Sequence, residues 1–380
     1  MKPTFVILTL SSSLLFAQGP FARPGAPAPT MKTLTQVEPR TAIENLPFTI
    51  STPGNYYFTQ NLQFTATTGN AIEITTGSVT LDLGGFTLSS TAAVTGTAIF
   101  VSNDLNNIAI KNGIIAGNTT VTIAGTPRVW TITPAGFSNG VFYTSSVARN
   151  MTVEHLQVSG CRSSGMTANY GRVTRSTANS NGTNGLVANN GSVTHSAVTS
   201  NGFSGITAAS GSVSNSTANS NGTYGISASS GSVSKSNASS NGTNGIIAGS
   251  GSVTNSTTSS NGSFGISAGG GSITSCIANA NGTFGISADN GTVTYSTART
   301  NGSFGISATN GNVASCTAAD NGTFGILAGG GSVTSCNAKS NNTTAAAGVF
   351  DLNATNATVS FTKYGTGDVT GTTLTGNKTP

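Results

Sequence analysis

Five residues at twenty-residue intervals carry the most chemically distinctive side chains of this chain: His155, Arg175, His195, Asn215 and Lys235. Each follows an apolar residue by two positions, at Val153, Val173, Val193, Val213 and Val233. If the interval marks stacked strands, neighbours stand about 4.8 Å apart. The row then presents hydrogen-bond donors and positive charge to an anionic or hydroxyl-rich ligand. His155, Arg175 and His195 are therefore the candidate ligand-binding residues. The two histidines lie two intervals apart with Arg175 between them, too far to share a metal ion whose bonds are about 2 Å long. No metal site is expected. An exposed strand also tolerates such residues with no ligand at all.

Acid–base chemistry on a polymer asks for paired carboxyl groups. The acids are Glu38, Glu44, Glu73, Asp82, Asp104, Glu154, Asp289, Asp320, Asp351 and Asp368. Asp289 and Asp320 fall in the most regular stretch, at different phases of the interval, and neither has an acid one interval away. Asp82, in LDLGG, reads as structural. Asp104 and Glu154, with Arg149 and Arg162, are the one pairing the irregular upstream residues offer, and no motif links them. No catalytic residue is assigned and no cofactor is expected. Serine is so abundant that its presence says nothing about a nucleophilic triad. Trp130, Tyr143 and Tyr170 are able to stack on sugar or to cover a core.

The elements that must position these residues follow from the period. From about Gly171 to Asn341 the chain repeats GSVTxSxAxSNGTFGIxAxx without insertion. Such a period signals a solenoid whose units bury their faces only against one another. In FGISA, Phe264, Ile266 and Ala268 alternate with Gly265 and Ser267, the pattern of a half-buried strand. In SITSCIAN, Ile273, Cys276 and Ala278 point inward around a bend. Several glycines per unit, at about 1 kcal/mol each, disfavour helix. Three short strands with glycine-containing corners make one coil of a parallel β-helix.

Stacked coils turn equivalent positions into columns. Asn181 to Asn341 reads as a ladder of inward amides, each able to give and take a hydrogen bond. Their N-x-[ST] sequences are then not glycosylation sites, because a buried amide cannot carry a glycan. Gly182 to Gly322, then Asn342, suit a left-handed corner. Phe264, Phe284, Phe304 and Phe324, with Tyr224 at the near end, should stack and share the interior with the Val, Ile and Ala columns. Cys316 and Cys336 fall in an inward Ser/Cys column as packed thiols, while Cys161 stands where the Asn column begins.

Residues 1–17 read as a secretory signal and 18–33 as a Pro-rich linker. Residues 34–65 form a cap and first strands over a solenoid end that would otherwise expose edges and core. Irregular coils with a loop near 143–150 fill 66–170, regular coils 171–345, and a last coil with a polar tail 346–380. No later stretch is apolar enough to cross a bilayer. The net charge of +5 is scattered, so nucleic acid is not an expected partner.

These columns, with PGNYYFTQNL and SVTLDLGGFTL near the start, resemble the right-handed parallel β-helix proteins of the pectin-lyase-like superfamily, in the arrangement of bacterial secreted repeat proteins. The resemblance spans roughly residues 34 to 365 of the sequence. It implies an all-β solenoid, and its enzymes cut or epimerise acidic polysaccharides with clustered carboxylates, or with Asp-bound calcium beside an Arg. The acid-poor chain points instead to an exported, non-catalytic scaffold or surface-binding module that contacts polysaccharide or a cell-surface partner. The alternative is a polysaccharide lyase, hydrolase or epimerase with its site in residues 100–165. An ice-binding face is disfavoured by mixed outward columns such as Ala197, Thr217, Asn237, Thr257 and Ile277.

Overall fold

The computed structural model describes residues 39–92, 95–125, 128–147, 149–344, 350–360, 362–368 and 373–375. The chain divides after Arg40, and the signal and linker segments lie outside the described residues. From Thr41 onward the chain forms a single compact unit.

Each regular coil holds three strands of two or three residues, too short to persist alone. In one coil they are Arg172–Thr174, Thr177–Asn179 and Leu186–Val187. Each pairs in parallel with its counterpart twenty residues on: Val173 with Val193, Ala178 with Val198, Leu186 with Ile206. The first two strand lines share one bent sheet and the third forms a second sheet. Among the described residues there is no helix. The chain is an all-β, parallel β-helix solenoid.

The interior is narrow because small side chains fill it. Val173 to Val333, Leu186 to Ile326 and Ala188 to Ala328 form buried columns. A coil cannot shelter these groups by itself, and stacking supplies both the cover and the backbone partners. Two polar columns join them inside. Asn181 to Asn321 are buried, and each Nδ2 donates to the next Oδ1, as from Asn181 to Asn201 at 2.9 Å and from Asn301 to Asn321 at 2.9 Å. The backbone N–H of each rung donates to the same oxygen. Cys161 N–H begins the series on Asn181 Oδ1, and Asn341 ends it by donating to the buried Asp351 carboxylate at 2.8 Å. The second column is Ser176, Ser196, Ser216, Ser236, Ser256, Cys276, Ser296, Cys316, Cys336 and Thr362. All four cysteines are free and buried.

Three edges separate the strand lines, here the His corner (155, 175, 195 and onward), the Asn corner (180–185 and equivalents) and the Gly corner (188–191 and equivalents). The left-handed residue of the Asn corner is not the glycine after each Asn. It lies two positions earlier, where Ser180 to Ser340 take φ of 51–59° at every coil. Gly182 and its equivalents are there for clearance: a Cβ on Gly182 would overlap the Arg162 carbonyl oxygen. The glycine three residues on meets the ladder itself, since a Cβ on Gly245 would sit 2.7 Å from Asn261 Nδ2. Asn342 alone keeps the assigned conformation, with φ of 64°.

The phenylalanines do line up, with successive centroids 4.6–5.2 Å apart from Phe264 to Phe324. They are half-buried on the Asn corner, however, and not part of the interior. Tyr224 stands outside the stack, edge-on to Phe203 at 6.5 Å, because Asn244 intervenes.

Upstream, Met151–Ser159 pairs with Ile108–Ala116 on one side and with both strands of the next coil on the other. From Tyr143 to Val153 the chain takes ten steps where Ala168 to Val173 takes five, leaving a loop at 144–150. A larger departure is an antiparallel hairpin, Thr120–Ala124 with Val129–Thr133. Its apolar Val121, Ile123, Trp130 and Ile132 share one face. At the far end, Gly367–Asp368 and Thr373–Thr375 carry the pairing on into the segment read as a polar tail.

Candidate functional site

His155, Arg175 and His195 are exposed, consecutive in the stack, and each is left-handed, with φ of 51, 46 and 51°. Arg175 and His195 stand at the bend between the two strands of the bent sheet, not on a strand as their spacing suggested, while His155 lies within the continuous strand Met151–Ser159, at the equivalent left-handed position. The same bend recurs down to Ser335 with φ of 46–55°. A non-glycine residue in this conformation costs about 1 kcal/mol or more. After Arg175 and His195 the following inward serine offsets it, as Ser196 Oγ donates to Thr194 O at 3.0 Å and accepts from Ser176 N–H at 3.4 Å, whereas after His155 stands Leu156, whose N–H donates to Ser176 Oγ at 3.2 Å. The bend thus projects each side chain clear of the sheet.

Between this row and the Gly corner lies the outward face of one strand line. Thr174 and Thr194 are joined there hydroxyl to hydroxyl at 2.9 Å, as are Thr274 and Thr294 at 3.1 Å. At the Gly corner a groove of about 450 Å³ runs across four coils, walled by Asn190, Ser210, Ser212, Ser230, Ser232 and Ser252 over a glycine floor. It contains no charged residue. Within the coils of the groove, the strand and the next bend add hydroxyls and His195, Asn215 and Lys235, while Arg175 and His155 extend the row over the two preceding coils.

The loop at 144–150 does not cover the His155 row. It packs on the preceding coil at the Gly corner, with Arg149 Nη1 near Asn106 Oδ1 at 3.5 Å and Asn150 Nδ2 donating to Asn107 Oδ1 at 3.1 Å. Asp104 accepts from Ser145 Oγ at 2.7 Å and from Ser146 N–H. These bonds hold its carboxyl below the usual carboxylate range, and Arg149 adds to the effect. A space of about 360 Å³ beside it is lined by Asn103, Asp104, Thr144, Ser145 and Ser146. Glu154 is not among them. It lies on the bent sheet, with Lys111 and Thr174 as strand neighbours. Geometry therefore separates the pair that the sequence left open. Asp82 is tied up locally, accepting from Gly84 N–H at 2.9 Å and from Asn112 Nδ2 at 3.2 Å. Among the described residues no cluster of His, Cys, Asp and Glu is placed to hold a metal.

Tyr143 is fully buried, its hydroxyl donating to Leu105 O, so it covers the core. Trp130 belongs to the hairpin that sequence reasoning missed. The alternation in TVTIA and VWTIT, around Gly-Thr-Pro, was the signal for it. The hairpin lies along the Asn corner: Ile132 reaches Gly202, Trp130 Nε1 donates to Ser220 O at 3.2 Å, and Arg128 Nη1 donates to Ser240 O at 2.6 Å.

No protein-family profile and no curated protein sequence matches the chain. Among solved structures it is similar to the A-module of the mannuronan C-5 epimerase AlgE4 of Azotobacter vinelandii, with TM-score 0.50 and 12% identity over 86% of this chain and 88% of that one. The receptor-binding domain of the siphovirus 9NA tailspike follows with TM-score 0.47 and 12% identity over 86% and 73%. The periplasmic alginate epimerase AlgG gives 0.44 and 12% over 82% and 78%. At such identities the likeness is one of fold alone, that of a parallel β-helix.

Proposed function

We propose that this protein is an exported, non-catalytic β-helix that binds polysaccharide or another hydroxyl-rich cell-surface partner. The observation that carries the reading is the uncharged groove of about 450 Å³ at the Gly corner, whose four coils also carry the hydroxyl-bearing strand and, at the next bend, His195, Asn215 and Lys235, with Arg175 and His155 on the two coils before. A linear glycan laid along the axis meets equivalent groups at every coil, about 4.8 Å apart. Many weak hydrogen bonds then add without a deep pocket. Export is supported by the apolar N-terminal segment of the sequence, and no helix of the described residues is long and apolar enough to cross a membrane.

Binding to soluble polysaccharides and envelope fractions tests the reading. We expect retention on at least one, weakened about tenfold when His155, Arg175 and His195 are all replaced by Ala. Complete indifference to every glycan and fraction would remove it. The enzymatic alternative draws on Asp104 and its space of about 360 Å³. It requires new reducing ends or unsaturated products from acidic polysaccharide, lost in Asp104→Asn.

A further inference from the structure

The Asn corner carries a second feature, independent of the groove. At each coil the left-handed residue leaves its carbonyl outside the ladder, and among the described residues nothing donates to the carbonyls of Ser260, Ala280 or Thr300. Two equivalent carbonyls upstream are occupied, Ser220 by the indole N–H of Trp130 and Ser240 by the guanidinium of Arg128. The hairpin is in effect an internal ligand of this row, and its side chains show what the row accepts: N–H donors presented at successive coils.

The neighbouring glycines record where that cover stops. Gly202, Gly222 and Gly242 are half-buried under the hairpin, Gly262, Gly282 and Gly302 are exposed, and Gly322 is buried where Thr344 Oγ1 donates to its carbonyl at 2.7 Å. The result is a slot closed at both ends, open over three coils or roughly 14 Å. A cavity of about 290 Å³ lies at its head, lined by Arg128, Trp130, Asn241, Gly242, Ser260 and Gly262. The stack from Phe264 to Phe324 runs beside it, beginning one coil after the last hairpin contact.

We propose that this slot binds a short glycan bearing 2-acetamido groups. The amide N–H suits the vacant carbonyls, the acetyl methyl suits the phenylalanine rail, and the acetyl oxygen suits the remaining N–H donors of Arg128. The side-chain-free glycine floor lets a sugar face lie flat. A purely hydroxylated glycan offers donors but no acetyl methyl for the ring edges that the stacked phenylalanines present, and so packs less of the rail.

Trp130 is the only tryptophan of the chain, so its fluorescence reports on the head of the slot directly. The full-length protein is titrated with tetra-N-acetylchitotetraose and with cellotetraose, which share a backbone and differ at the acetamido position. The expected result is a saturable fluorescence change with the first and affinity about tenfold weaker with the second. Arg128→Ala, an exposed substitution, weakens the first about tenfold with the melting temperature unchanged. The variant lacking His155, Arg175 and His195 keeps the wild-type response. Absence of any saturable change, or equal affinity for both oligosaccharides, overturns the proposal.

Discussion

The Asn corner and the His corner are built alike and behave differently. Each places an outward, left-handed residue before an inward polar one, and each inward side chain accepts the N–H of its counterpart one coil earlier. An asparagine then hands its own Nδ2 proton to the following rung, whereas a serine returns its hydroxyl proton to its own coil, as Ser216 Oγ does to Ser214 O at 2.8 Å. One column is a continuous chain and the other a set of closed units. This accounts for their composition: the Asn column is unbroken from Asn181 to Asn341, while the Ser column admits Cys276, Cys316, Cys336 and Thr362. A cysteine stands in the Asn column only at its start, where Cys161 supplies no more than a backbone donor.

The sharpest way to break the comparison is Asn261→Ala. It strips the acceptor from Asn241 N–H, leaves Asn241 Nδ2 with Ala218 O alone and leaves Asn281 Oδ1 with only the backbone N–H of residue 261. Buried polar groups without partners should cost about 3 kcal/mol or more, read as a lowered denaturation midpoint. Ser256→Ala removes one acceptor, that of Ser236 N–H at 3.2 Å, and should cost only about 1 kcal/mol. Equal losses at the two sites would remove the distinction. The smallest effect is chemical. Burial pushes the Cys161 thiol up to about 12 and the Cys276 thiol to about 11, so both stay protonated well above neutral pH. A hydrogen bond shared with Cys336, together with burial, raises Cys316 as well. The same bond lowers Cys336. At pH 8 a thiol reagent should therefore find neither Cys161 nor Cys276 in the folded protein and both in denaturant. Rapid reaction of either in the folded form would show the columns to be open.

The period made the solenoid, the Asn ladder and the inward Ser/Cys column legible, because each repeats often enough for pattern to stand in for coordinates. What it could not give was the conformation of single residues. Serine at position 180 and glycine at 182 look equally suited to a corner until the Arg162 carbonyl is seen to occupy the space of a Cβ. Phe264 alternates with Ile266 as an inward residue would, yet it precedes the strand, which begins at Ile266, and so lies on the rim. The row at His155, Arg175 and His195 points outward as its spacing indicates, but the bend that projects it is a backbone event that no spacing reports. The hairpin was hidden for a different reason. It occurs once, and its target lies about a hundred residues away, at Ser220 and Ser240.

The polarity of the amide chain has a consequence for ancestry. Every interior asparagine passes on the same bond it receives, so a twenty-residue unit can be duplicated or deleted in the gene without retuning its neighbours. Only the final acceptor must stay put. Asp351 is that acceptor, one oxygen taking both Asn341 N–H and Asn341 Nδ2 and the other Thr366 N–H, so a stack of any number of such units ends on the same cap.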